Sequence, residues 1–127
     1  MTIYALSSGA GVSGVAIIRI SGIGTKEIIQ RLIKDELPPP RMAILKKISK
    51  ISTSELIDEG LLLWFPGPES YTGEDMAELH VHGSIAVIRS ILDQLSNLEN
   101  CRIAEPGEFT KIAFQNGKIN LLKAESI

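Results

Sequence analysis

Apolar positions along this chain follow two different periods, and the places where the period changes mark out its elements. Thr2 to Leu6 reads as a short strand, followed by a Gly/Ser loop from Ser7 to Gly14. Val15 to Ile20 is a β-branched run that predicts a buried strand, closed by a turn at Ser21-Gly22. Ile28, Ile29, Leu32 and Ile33 then recur at helical spacing, which predicts a helix over Lys26 to Lys34 with Thr25 as its cap and the prolines at 38–40 as its stop. Met42 to Ile51 and Leu56 to Phe65 read as two strands joined by Ser52-Thr53-Ser54, and Pro66 to Asp75 as a loop rich in turn residues. Met76 to His82 alternates like a half-buried strand. Ser84 is placed to cap a helix carrying Ile85, Ile88, Ile91, Leu92 and Leu95.

Cys101 to Ala104 is a short extended piece. Glu105-Pro106-Gly107-Glu108 opens a helix to about Phe114 that Asn116-Gly117 ends. A new amphipathic pattern starts at Ile119 without a stop signal, and two helical turns alone are poorly stable, so the natural protein is expected to continue past Ile127. With strands and helices interleaved but no steady βαβ rhythm, the expectation is an α+β fold, a mixed β-sheet with about three packing helices. Residues 1–118 would form that domain, and 119–127 the start of a helical one.

Composition changes this picture little. Hydrophobic residues make up 44% of the 127 positions, enough for a sizeable core. A net charge of −2 argues against a domain that grips nucleic acid through its own basic surface. The one cysteine, Cys101, excludes an internal disulfide, reads as a small core residue and fits a reducing compartment. No basic, Ser-rich leader and no run near the ~20 apolar residues of a membrane span is visible, so a soluble, cytoplasmic protein is expected.

Four places carry candidate chemistry. Gly9-Ala10-Gly11-Val12-Ser13-Gly14 matches G-x-G-x-x-G, but a dinucleotide fingerprint must open a helix, and here a strand pattern follows. A β–β connection, or a mobile loop over a ligand, fits better. Arg19 shares a strand face with Val15 and Ile17. Both faces of that strand read as buried, so Arg19 should meet a carboxylate, from the protein or from a ligand. Glu78, His80 and His82 share one face of their strand. They could be a polar face of unrelated residues or a zinc site, although no further ligand is apparent and no stoichiometric zinc is expected. A better reading is a Glu78 carboxylate that accepts two hydrogen bonds from a pterin-like ring. Lys118 reads as a solvated lysine after a helix cap, or as a partner for an anionic ligand tail.

Several long blocks occur in an order that resembles one family. Trp64 to Asp75 reads W-F-P-G-P-E-S-Y-T-G-E-D, and Glu78-Leu79-His80-Val81-His82-Gly83 follows it. Ala104 to Thr110, Ala113 to Lys118, and Ala16-Ile17-Ile18-Arg19-Ile20-Ser21-Gly22 complete the set. Together they resemble the N-terminal domain of the MnmE (TrmE) tRNA modification GTPases. The resemblance implies a fold similar to the folate domain of the glycine-cleavage aminomethyltransferase. It also implies binding of 5-formyl-tetrahydrofolate, with the 5,10-methylene form held as one-carbon donor, and homodimerisation. The longer parent would act with the flavoprotein MnmG (GidA), which brings FAD and NADH, on the wobble uridine of certain tRNAs. The family's folate contacts map onto Arg19, Glu78 and Lys118.

The match has departures. The glycine loop lacks the arginine of the family's P-P-G-R-G-G, Ile112 stands for an arginine, Asn120 for an aspartate and Ser84 for a glycine. These put affinity in question. There is no G-x-x-x-x-G-K-S/T, so GTP hydrolysis, and the potassium and magnesium that serve it, are not expected of these residues. The family's C-terminal cysteine motif is also missing, and Cys101 is not its equivalent. The competing readings are a stand-alone folate-dependent aminomethyltransferase-like protein and a ligand-free interaction module.

Overall fold

Alternation along the strands is what gives this sheet one apolar face. The computed structural model describes residues 1–8 and 14–119. Its strands are β1 (Thr2–Ser8), β2 (Val15–Ser21), β3 (Ile44–Ser49), β4 (Leu56–Phe65), β5 (Met76–His82) and β6 (Cys101–Ile103), and its helices are α1 (Thr25–Ile33), α2 (Ile85–Ser96) and α3 (Glu108–Gln115). The six strands form one sheet in the order β3-β4-β5-β2-β1-β6. All neighbours are antiparallel except β1 and β6, which run parallel, so the sheet is mixed as expected.

Ala16, Ile18 and Ile20 of β2, Leu62 of β4, and Ala77 and Leu79 of β5 are completely buried on the same side. Over them pack Ile29 and Leu32 of α1 and Ile91 and Leu95 of α2, in one continuous core that also takes in Cys101. Burial raises the pKa of the Cys101 thiol, in keeping with a core residue. Gly60 of β4 is required by close approach, since a Cβ there would lie 2.4 Å from the His80 carbonyl oxygen. Among the described residues no helix is long and apolar enough to cross a membrane.

The element boundaries correct several expectations. Thr25 is not the cap of α1; Gly24 holds that position, and Thr25 lies buried in the first turn with its hydroxyl donating to the Asp75 carbonyl at 3.1 Å. The helix stops before the prolines, where Lys34 takes a left-handed conformation (φ 57°) and its ammonium donates to the carbonyls of Lys50 and Ile51. Ser7 and Ser8 belong to β1, while residues 9–13 of the glycine loop lie outside the described residues. Ser84 caps α2 as expected, accepting from the Val87 amide at 3.2 Å. At the end of α3, Gly117 takes φ +73° and the Gly117 and Lys118 amides donate to Phe114 and Ala113. That is the double hydrogen bond of a Schellman cap. The pattern beginning at Ile119 falls, from residue 120 on, outside the described residues.

Candidate functional site

Among the described residues the second face of the sheet carries no helix comparable to α1 and α2, and on it Arg19 and Glu78 meet. The antiparallel register of β2 and β5 sets the two residues directly opposite one another. Arg19 places both Nε (3.1 Å) and Nη2 (2.9 Å) on Oε2 of Glu78. His80 lies two residues further along β5 on the same face, with its Nε2 3.0 Å from Oε1. Burial pushes the Glu78 carboxyl up, but the hydrogen bonds from His80 and Arg19, and their charge, outweigh it, so its pKa lies below the ordinary value.

The expectation that both faces of β2 are buried is corrected here. Val15 is 53% exposed and the Arg19 side chain 31%, because α1 and α2 both pack on the other side. Arg19 has found its carboxylate within the protein.

Two segments raise walls around this pair and enclose a cleft of about 540 Å³. One is the loop 66–75, which supplies Tyr71. The other is the start of α3, which supplies Phe109 and Thr110. Phe65 and Met76 complete the apolar lining. The Phe109 ring centroid lies 5.7 Å from the Arg19 guanidinium carbon, a cation–π arrangement that ties α3 to the floor. Tyr71 and Thr110 join their hydroxyls at 3.1 Å, linking the two walls.

The loop is held by polar contacts rather than by regular structure. Thr72 is fully buried, with its hydroxyl 2.9 Å from that of Ser21. The Gly67 amide donates to the Asp75 carboxylate at 2.9 Å, the Ser70 hydroxyl donates to the Glu74 carbonyl, and Asn116 donates to the Thr72 carbonyl at 2.8 Å. The Gly67–Pro68 bond is cis. Much of the W-F-P-G-P…T-G-E-D block therefore builds the wall.

Of the three residues expected at a ligand site, the structure brings Arg19 and Glu78 together on the cleft floor. Lys118 is not part of the cleft lining. It is exposed, and its ammonium donates to the Pro68 carbonyl at 2.9 Å, on the same loop. His80 and His82 engage different carboxylates, since His82 pairs with Asp58 at 2.8 Å. Among the described residues no group of three or more His, Cys, Asp or Glu side chains could hold a metal ion.

The walls were missed in the sequence, as was the His80–Glu78 contact. A signal for the walls was present: the chain has one Trp, two Tyr and three Phe, and three of these six aromatics line the cleft. Chemically, an ionised acceptor beside a guanidinium, walled by aromatic rings, suits a planar ligand that donates N–H groups and carries negative charge elsewhere.

Comparison with known proteins agrees with this architecture. The family model described as GTP-binding protein TrmE N-terminus matches residues 2–118. The chain is 68% identical over its whole length to a tRNA modification GTPase MnmE of Pelagibacter ubique, of which it covers 29%. It is 51% identical over 126 residues to a mitochondrial 5-taurinomethyluridine-tRNA synthase subunit of Danio rerio, covering 99% of this chain and 25% of that protein. It is likewise 51% identical over 126 residues to the MnmE of Sinorhizobium medicae, covering 99% of this chain and 28% of that protein. The chain thus spans less than a third of the length of these curated relatives. Since the matched region takes in both floor strands and both walls of the cleft, the chain belongs to the TrmE N-terminal family of tRNA modification GTPases.

Proposed function

We propose that this chain is the reduced-folate-binding and dimerisation module of a tRNA modification GTPase, with the folate in the cleft over Arg19 and Glu78. The observation that carries the reading is the Glu78 carboxylate. It is held ionised on the floor of a cleft with aromatic walls, where its remaining acceptor position can take an N–H donor of a pterin ring. Arg19 supplies positive charge beside it. Lys118, just past the end of α3 with its exposed side chain laid against loop 66–75, would reach the glutamate tail by releasing the Pro68 carbonyl. The ligand would be 5-formyl-tetrahydrofolate or its 5,10-methylene relative. In the parent protein, tRNA and the flavoprotein MnmG would be the partners, in the cytoplasm, and GTP, potassium and magnesium would be bound outside this chain.

Calorimetric titration of the chain with 5-formyl-tetrahydrofolate tests the reading directly. Saturable binding near one folate per chain is expected. No heat at micromolar protein and ligand sinks it, and points to Arg19–Glu78 as a purely structural pair in an interaction module. Sedimentation equilibrium tests the dimer separately, and a monomer at every micromolar concentration counts against it.

A further inference from the structure

His80 reaches the proposed ligand site from outside it. Its side chain lines a neighbouring cleft of about 340 Å³ on the same sheet face, with Val15, Leu61, Glu59 and His82. It does not line the Arg19–Glu78 cleft. Yet its Nε2 sits 3.0 Å from Oε1 of Glu78. An ionised carboxylate has no proton to give, so Nε2 carries the hydrogen and donates it. Both Arg19 bonds land on the other oxygen. A carboxylate offers roughly four acceptor positions, two on each oxygen. Arg19 therefore fills Oε2, while Oε1 keeps one position open beside the His80 bond. The oxygen with acceptor capacity left is the one that His80 holds.

We propose that His80 is a positioning residue: from the neighbouring cleft its Nε2–H fixes Oε1 of Glu78 so that the remaining acceptor position serves an N–H donor of the ligand's ring. This rests on the reading that the Arg19–Glu78 cleft holds a folate.

The His80 ring is flanked by both apolar and charged neighbours. Directly opposite His80 in the sheet are two apolar residues, Ile17 on β2 and Leu61 on β4. The charged or titratable groups on its side are Glu78 and His82 on β5, Glu59 on β4 with Lys47 opposite it on β3, and Arg19 on β2. The helices α1 and α2 pack on the other face of the sheet.

The experiment uses the 127-residue chain, its H80F and H80Q variants, and 5-formyl-tetrahydrofolate as probe, with melting curves to establish folding. Without ligand, the carboxyl carbon of Glu78 is titrated by NMR; its midpoint should rise in H80F, where a lowering hydrogen bond is gone. With ligand, H80F should bind about tenfold more weakly. H80Q retains a neutral donor, so it should recover most of that loss. A merely structural role would move the melting temperature without moving the Glu78 midpoint or separating H80Q from H80F in affinity. An unmoved Glu78 titration in folded H80F, or folate affinity equal to that of the unsubstituted chain, overturns the proposal. Absence of folate binding by the unsubstituted chain overturns the folate reading instead, and the Glu78 titration then decides the positioning contact alone.

Discussion

The central sheet puts aliphatic residues of the same kind on both of its faces, with opposite fates. On β2, Ile18 is completely buried under the helices, while Ile17, its neighbour, stays partly open beside Arg19. On β4, Leu62 is completely buried and Leu61 is 39% exposed. The covered face is apolar at its centre, where α1 and α2 pack on it, and carries Lys46 and Asp58 only towards the β3 edge. The open face breaks its apolar positions with Arg19, Glu78 and His80 and, among the described residues, receives the edge of α3 and one loop. Burial follows the face that α1 and α2 reach, and the polar residues collect on the face they leave open. One face holds the fold together, and the other is free to carry chemistry.

Cutting a four-carbon aliphatic side chain back to alanine on each face should split them most widely. Ile18→Ala is expected to destabilise the chain by about 2–5 kcal/mol, because the cavity left under the helices has no way to fill. Leu61→Ala should cost only about 0.5–1 kcal/mol, since much of that side chain is already in water. Urea unfolding midpoints at constant slope measure both, and equal losses would erase the distinction.

On the open face the larger effects should fall on ligand affinity. Glu78→Gln leaves a single acceptor oxygen and introduces donors, and should weaken 5-formyl-tetrahydrofolate binding about tenfold or more while the chain stays folded. Lys118→Ala removes an exposed charge and should cost about fivefold or less in affinity, with no change in melting. If both variants fold and bind as tightly as the parent chain, the open face is not the folate site.

The smallest effect belongs to the rim. Arg102 on β6 and Glu108 at the start of α3 form an ion pair, and the hydrogen bond from Arg102, with one from the Glu105 amide, lowers the Glu108 pKa from 4.5 to about 2. A carboxyl whose folded pKa is depressed contributes its stability in full above the unfolded value and loses it as the pH falls through the folded one. The contribution should therefore fade between about pH 4.5 and pH 2, and as a surface pair it is worth less than about 1 kcal/mol. Melting temperatures of the chain and Glu108→Gln should converge across that range. A gap that persists at pH 2 would mean that the pair acts through packing.

Strand positions were legible because alternation is local. The shared face of Glu78, His80 and His82, the Ser84 cap and the Asn116-Gly117 stop all follow from a few neighbouring residues. What could not be read was which side the helices take, because that depends on connections across the whole chain; Arg19 was therefore placed between two buried faces when one is open. Thr25 looked like a cap because its hydroxyl was expected to serve its own helix, and in the fold it serves Asp75, fifty residues away. The Arg19–Glu78 pairing and the reach of His80 come from the register of β2 against β5. The walls, Tyr71 and Phe109, come together only after the sheet has formed.

The sparse packing of α3 has a kinetic meaning. Ala113 is its only buried residue, and its other ties are surface contacts: the Arg102–Glu108 pair, Phe109 on Arg19, Tyr71 on Thr110 and Asn116 on Thr72. A segment with so little apolar burial opens at far lower cost than strands in the core. The cleft can thus admit or release a guest by a brief excursion of one short wall, with β2 and β5 undisturbed. A guest wedged between Phe109 and Glu78 would stitch that wall shut, and its arrival would register as slowed amide exchange across residues 108–115 against an unchanged sheet.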